Sequence, residues 1–189
     1  MKRCLKGWTK GSFNFRSKLS SNDIARISDW LQSSNLCFPS EGTRSIRPLS
    51  TLSFWKAIEF RTFLLYLGPV VLKGILSAEA YDHFMQLSLA VVLFSCKKYV
   101  QNEKLRSLGA KLMICYVEKF KELYGDDSIS YNAHNLVHVI LDVEEYGALQ
   151  EISAYPFEST LYRIKRLLKS KFLHFYSHNN LSRLHSMFF

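Results

Sequence analysis

The stretch Ser77–Lys98, SAEAYDHFMQLSLAVVLFSCKK, decides the fold class. Ser77 offers a hydroxyl to cap a helix, and Glu79 and Asp82 put negative charge in its first turn. Lys97 and Lys98 put positive charge at the other end, so both ends match the helix dipole. The middle, Leu87–Phe94, is apolar nearly all round, as in a helix enclosed on every side. The spacing therefore predicts a central, buried helix over Ala78–Lys98.

Helical spacing continues outward in both directions. A further helix is expected from Asn102 to Tyr124, with Leu105, Leu108, Leu112, Cys115 and Phe120 facing inward and Gly125 as its stop. Another is expected over Ala133–Tyr146, ending at Gly147, and a last one over Phe157–Phe172. On the N-terminal side Leu52–Leu67 should form a helix that ends at Gly68-Pro69, because proline has no N–H to donate and disfavours helix in the residue before it. Phe38–Leu49, with Pro39, Gly42 and Pro48, reads as an extended linker. A weak helix over Asp23–Gln32 precedes it, after a polar entry containing Gly7, Gly11 and Ser20–Asn22. Strand-like alternation is hard to find and no internal repeat is present. The expected fold is mainly α, an irregular helical bundle. Its parts are a basic polar segment (1–50), a helical domain (51–172) and a divergent tail (173–189) ending in Met187-Phe188-Phe189.

Composition bounds the function. The 189 residues include 14 Phe and 10 Tyr, too aromatic for a disordered chain, and only 8 Gly and 4 Pro, too few for a low-complexity one. The longest uncharged apolar stretches, Phe63–Leu72 and Leu87–Cys96, are about half of the roughly 20 residues needed to cross a bilayer. No membrane is expected as a partner. Thr9, Lys10 and Asn14 interrupt the apolar core that a signal peptide would need, so secretion by that route is not expected. Cys4, Cys37, Cys96 and Cys115 form no CxxC pair, which fits reduced thiols in a nuclear or cytoplasmic setting.

The formal charge of +9 is unevenly spread. Residues 1–60 carry 10 basic and 4 acidic groups, whereas 121–189 carry 7 and 8. Five of those last basic groups, Arg163, Lys165, Arg166, Lys169 and Lys171, fall in one short helical stretch. Such a stretch suits the phosphates of DNA, and it equally suits a solvated helix face.

Two further features could carry chemistry. His134 and His138 lie four residues apart, about 5 to 6 Å on one helix face, where two imidazoles can share a zinc ion. A structural site needs two more ligands, for which Asp142 is one candidate and a CxxC is missing. The competing reading is that one of the two histidines packs in the core with a ring nitrogen bonded to backbone. Glu158 follows Tyr155-Pro156-Phe157 at a helix start, where the positive helix end favours an ionised carboxylate. It could bind Mg²⁺ or simply complement the dipole.

Taken together, Trp55-Lys56-Ala57-Ile58-Glu59-Phe60-Arg61, Phe63-Leu64-Leu65-Tyr66-Leu67-Gly68-Pro69-Val70-Val71-Leu72-Lys73, His134-Asn135-Leu136-Val137-His138 and Tyr155-Pro156-Phe157-Glu158 resemble the C-terminal region of CACTA-like DNA transposases, over roughly Trp8–Phe172. The resemblance implies a ribonuclease-H-like core in which two Asp and one Glu hold two divalent metals, with a helical insertion before the Glu. It makes His134 and His138 a zinc half-site whose cysteine pair is missing. It makes Glu158 the vestigial third carboxylate, contributed by a final helix that would belong to the nuclease core. The family's two-metal site cleaves and joins DNA strands and needs all three carboxylates. Asp126 and Asp127 fall in an expected loop and Asp142 on an expected helix, so none replaces the strand-borne pair. What the resemblance implies is a transposase-derived fragment, inactive as a nuclease by itself, with residual nonspecific affinity for DNA. The alternative is a domesticated helical module that binds a protein. A second copy of the chain is compatible with either.

Overall fold

The computed structural model describes residues 1–11, 18–34, 45–125, 128–154, 157–158 and 160–168. They are mainly helical and contain no strand among the described residues. The backbone divides into two compact units, Met1–Leu149 and Gln150–Phe189. The expected tail, 173–189, lies outside the described residues.

The first unit is built around α5 (Ala78–Ser95) and α7 (Glu103–Tyr124). The Ser77 hydroxyl accepts from the Ala80 N–H, as its position ahead of Glu79 predicts. The carboxamide of Asn102 accepts from the N–H groups of Lys104 and Leu105 and caps α7, which stops at Gly125 with φ at 87°. The expected run to Lys98 is broken at Cys96, whose extended backbone separates α5 from the short α6 (Lys97–Val100). Phe94 meets Gly109, and His83 meets Tyr116 and Tyr124, so α5 and α7 are antiparallel. A methyl at Gly109 would stand 2.7 Å from the Phe94 ring, and the missing side chain is what lets the helices approach.

The inward face of α7 differs from the expected one. Gly109, Met113, Tyr116, Val117, Phe120 and Tyr124 are buried, whereas Leu108 and Cys115 are exposed. Of the expected set only Phe120 is fully enclosed; Leu105 and Leu112 lie at the margin. Aromatic rings and a glycine, rather than leucines, define the contact with α5.

The polar entry also folds differently from its composition. Lys2–Lys10 is a helix, α1, that buries Cys4, Leu5 and Trp8 and ends at Gly11, in the left-handed region at φ 67°. Trp8 meets Phe84 of α5 edge-on at 6.2 Å. The weak helix expected at 23–32 is α2, Ser21–Ser34, whose Ile27 and Leu31 are fully buried. Residues within 1–50 therefore supply part of the same apolar core as α5.

Leu52–Leu67 is not one helix. A 3₁₀ turn, Leu49–Phe54, is followed by a break at Trp55-Lys56, then α3 (Ala57–Thr62), a π turn (Phe63–Leu67) and α4 (Gly68–Val71). The break is held by Glu59, which is fully buried and takes two bonds from Arg47, at 2.8 and 2.7 Å, and one from the Lys56 N–H. The hydrogen bonds to Glu59, and after them its opposite charge, raise the Arg47 guanidinium above its ordinary value. The helix does not stop at Gly68-Pro69 because the π turn widens the backbone around the proline. Gly68 N–H reaches back five residues to the Phe63 carbonyl. The next such bond would run from residue 69 to Leu64, and Pro69 has no N–H to make it. Ser88 of α5 fills the gap by donating to the Leu64 carbonyl at 2.8 Å.

The second unit contains helical residues 157–158 and 160–168. Within it the Glu158 N–H donates to the Ala154 carbonyl at 3.0 Å.

Candidate functional site

His134 ends α8 (Tyr131–His134), which Ser130 caps by accepting from the Ala133 N–H. The following residues, Asn135–His138, form a 3₁₀ turn that leads into α9 (Val139–Tyr146). The predicted helix over 133–146 is thus tightened in its middle, across the HNLVH segment itself. His134 and His138 are both exposed, with ring centroids 6.0 Å apart and planes at 76°. Neither is the core histidine of the competing reading. Among the described residues no three His, Cys, Asp or Glu side chains come together to hold a metal ion, so Asp142 does not complete a site with them. The two imidazoles supply half of a tetrahedral zinc shell. Among the described residues no further ligand stands with them to make the other half.

Glu158 is exposed in the second unit. Its neighbours Tyr155 and Pro156 lie outside the described residues, as do Lys169 and Lys171. Arg163, Lys165 and Arg166 are exposed on the helical residues 160–168, which carry no carboxylate. The same helix exposes Phe157, Leu161, Ile164 and Leu168, spaced at i, i+4, i+7 and i+11.

Among the described residues the histidine that packs in the core is His83. Its Nε2 lies 2.8 Å from the Tyr116 carbonyl, which can only accept, so Nε2 carries the proton. Nδ1 then accepts from the Tyr124 hydroxyl at 3.0 Å. The imidazole stacks on Tyr116 with centroids 4.2 Å apart. Burial lowers its pKa to about 4, against the Tyr116 carbonyl, which raises it, and with Lys119 pushing further down. Burial, and after it the neighbouring Cys4, push the hydroxyls of Tyr116 and Tyr124 above the ordinary phenol range. The Cys4 thiol sits 3.2 Å from the Tyr116 hydroxyl and extends the network to α1. A readable signal existed for this group. His83 shares its face with Leu87, Ala90 and Phe94, and Tyr116, Phe120 and Tyr124 repeat every four residues opposite it.

Beyond Cys4 and Tyr116 the network borders a cavity of about 600 Å³ between α1, α7 and the α8 region. Lys2 and Lys6 of α1 line one side, and Ser130 and Asn132 the other.

No helix among the described residues is long and apolar enough to cross a membrane. No family model, curated protein or solved structure matches the chain.

Proposed function

We propose that the chain is a transposase-derived helical fragment, inactive as a nuclease by itself, that retains nonspecific affinity for DNA. The reading rests on the ordered resemblance of Trp55–Lys73, His134–His138 and Tyr155–Glu158 to CACTA-like transposases. The observation that carries its DNA-binding part is the exposure of Arg163, Lys165 and Arg166 on a helical stretch free of carboxylates. Phosphate contacts of this kind draw strength from released counterions, so affinity should fall by about 0.9 logarithmic units per contacted phosphate for each tenfold rise in salt. Fluorescence anisotropy on a duplex oligonucleotide, with and without Arg163→Gln/Lys165→Gln/Arg166→Gln, tests it. The variant should lower the salt slope by about 2 to 3. Affinity that stays flat across salt would remove the contact set. The reading of Asp126 and Asp127 as loop residues and of Asp142 as a helix residue leaves Glu158 without the strand-borne pair, which supports the absence of strand cleavage. Mg²⁺-dependent nicking by the purified chain, lost in Glu158→Ala, would overturn that part.

The exposed row Phe157, Leu161, Ile164 and Leu168 favours a second reading, a domesticated module that binds a protein through this helix. Pull-down with and without nuclease treatment separates the two: a partner kept after DNA is destroyed favours the module.

A further inference from the structure

The helical residues 157–158 and 160–168 expose Phe157, Leu161, Ile164 and Leu168, which follow one another by four, three and four residues. That alternation is the heptad pattern, which keeps one apolar stripe facing a second helix along its length. Phe157 and Ile164 take the d positions of the heptad, and Leu161 and Leu168 the a positions. The residues beside this seam are then fixed. Glu158 and Lys165 each follow a d residue, so they share one edge of the stripe, and both are exposed. Thr160 and Leu167 share the other edge. Arg166 falls at f, opposite the seam, and Arg163 at c, away from it.

We propose that this helix pairs antiparallel with the same helix of a second copy of the chain. About a twofold axis, each a residue then meets a d residue: Phe157 against Leu168 of the second copy, and Leu161 against Ile164 of the second copy, each contact made twice. Like edges also meet, so Glu158 of each copy comes beside Lys165 of the other, which gives two opposite-charge pairs. A parallel pair brings unlike edges together instead. Lys165 would then face the uncharged Thr160, and neither charge would gain a partner. The helix dipoles favour the antiparallel pair as well. The charges therefore choose both the occupant and its direction, because this edge of the helix is complementary to itself when reversed. Arg163 and Arg166 stay outside the seam, so the dimer leaves those phosphate contacts exposed and doubles them. This pairing rests on the reading of the helix as a protein-binding surface and names the protein as another copy.

Sedimentation equilibrium of the nuclease-treated full chain tests it, over about 0.01 to 1 mM because so short a seam makes a weak dimer. The mass should rise from monomer toward dimer across that range. Lys165→Glu sets Glu158 against a second carboxylate and should weaken the dimer about tenfold. Adding Glu158→Lys restores both charge pairs in reverse and should bring the dissociation constant back to within about twofold. Ile164→Asp should leave a monomer throughout, with the far-UV circular dichroism of the native chain, since Ile164 is exposed. A native chain that stays monomeric at about 1 mM would overturn the proposal. So would a dimer that Lys165→Glu does not weaken, or that the double exchange does not restore. A monomer that still keeps a protein partner after nuclease treatment would sink the self-pairing and leave the protein-binding reading standing.

Discussion

α5 and the helical residues 157–158 and 160–168 both carry large apolar side chains at helical spacing, yet one row is enclosed and the other is wet. Phe84, Leu87, Ala90 and Phe94 are 3% exposed or less, whereas Phe157, Leu161 and Leu168 are all more than half exposed. Periodicity specifies that a helix forms and which face is apolar. It does not specify what that face meets. In the first unit the partner is written into the same chain, because Gly109 removes a side chain where Phe94 needs room.

The sharpest break of the comparison is a matched pair of truncations. Phe94→Ala should destabilise the chain by about 3 to 5 kcal/mol, through lost burial and the cavity left behind. Leu168→Ala should change stability by less than about 0.5 kcal/mol. Urea denaturation followed by far-UV circular dichroism reads both. Equal losses would show that the terminal helix is as well packed as α5.

The next effect is a pH dependence confined to the enclosed pair. His83 is held to about 4 in the folded chain, below the ordinary value near 6.5. The unfolded chain therefore takes up a proton first as pH falls. This contribution is complete above about pH 6.5 and is lost progressively down to pH 4, amounting to about 3 kcal/mol. Denaturation midpoints from pH 7 to 4 should follow that window in the native sequence and lose this component in a His83→Gln variant.

Smaller effects test the individual braces. Ser88→Ala should cost about 1 to 3 kcal/mol, because it strands the Leu64 carbonyl that Pro69 cannot serve. Asn102→Ala, which removes the cap from α7, should cost about 1 kcal/mol, measured in the same way.

These residues also show what could be read without coordinates. Ser77, Asn102, Gly125 and Gly147 announce helix ends by local chemistry, and the structure has ends there. Gly68-Pro69 announces an end that does not occur, since its relief comes from Ser88, distant in sequence, and from a wide turn. Residues 2–10 look like a basic polar entry. They fold as α1 because Trp8 finds Phe84, a contact that no local window contains. The expected face of α7 follows its leucines, whereas the residues that fit against α5 are Gly109, Met113, Tyr116, Val117, Phe120 and Tyr124. At the candidate site, the spacing of His134 and His138 brings their rings near one another, as four residues on a helix should. The enclosed histidine was on another helix, visible only when α5 and α7 are aligned face to face.

The wide turn at Phe63–Leu67 has a consequence for how this stretch can vary. Such a turn carries one residue more than an ordinary helical one, and each residue of a helix advances the side chains by about 100°. Everything downstream is dialled round by that amount, which is what brings Val71 and Leu72 into the core. The segment should thus tolerate a change of apolar side chain far better than a change of length. Removing any one of its five residues would rotate Leu72 off its bearing while leaving its identity untouched.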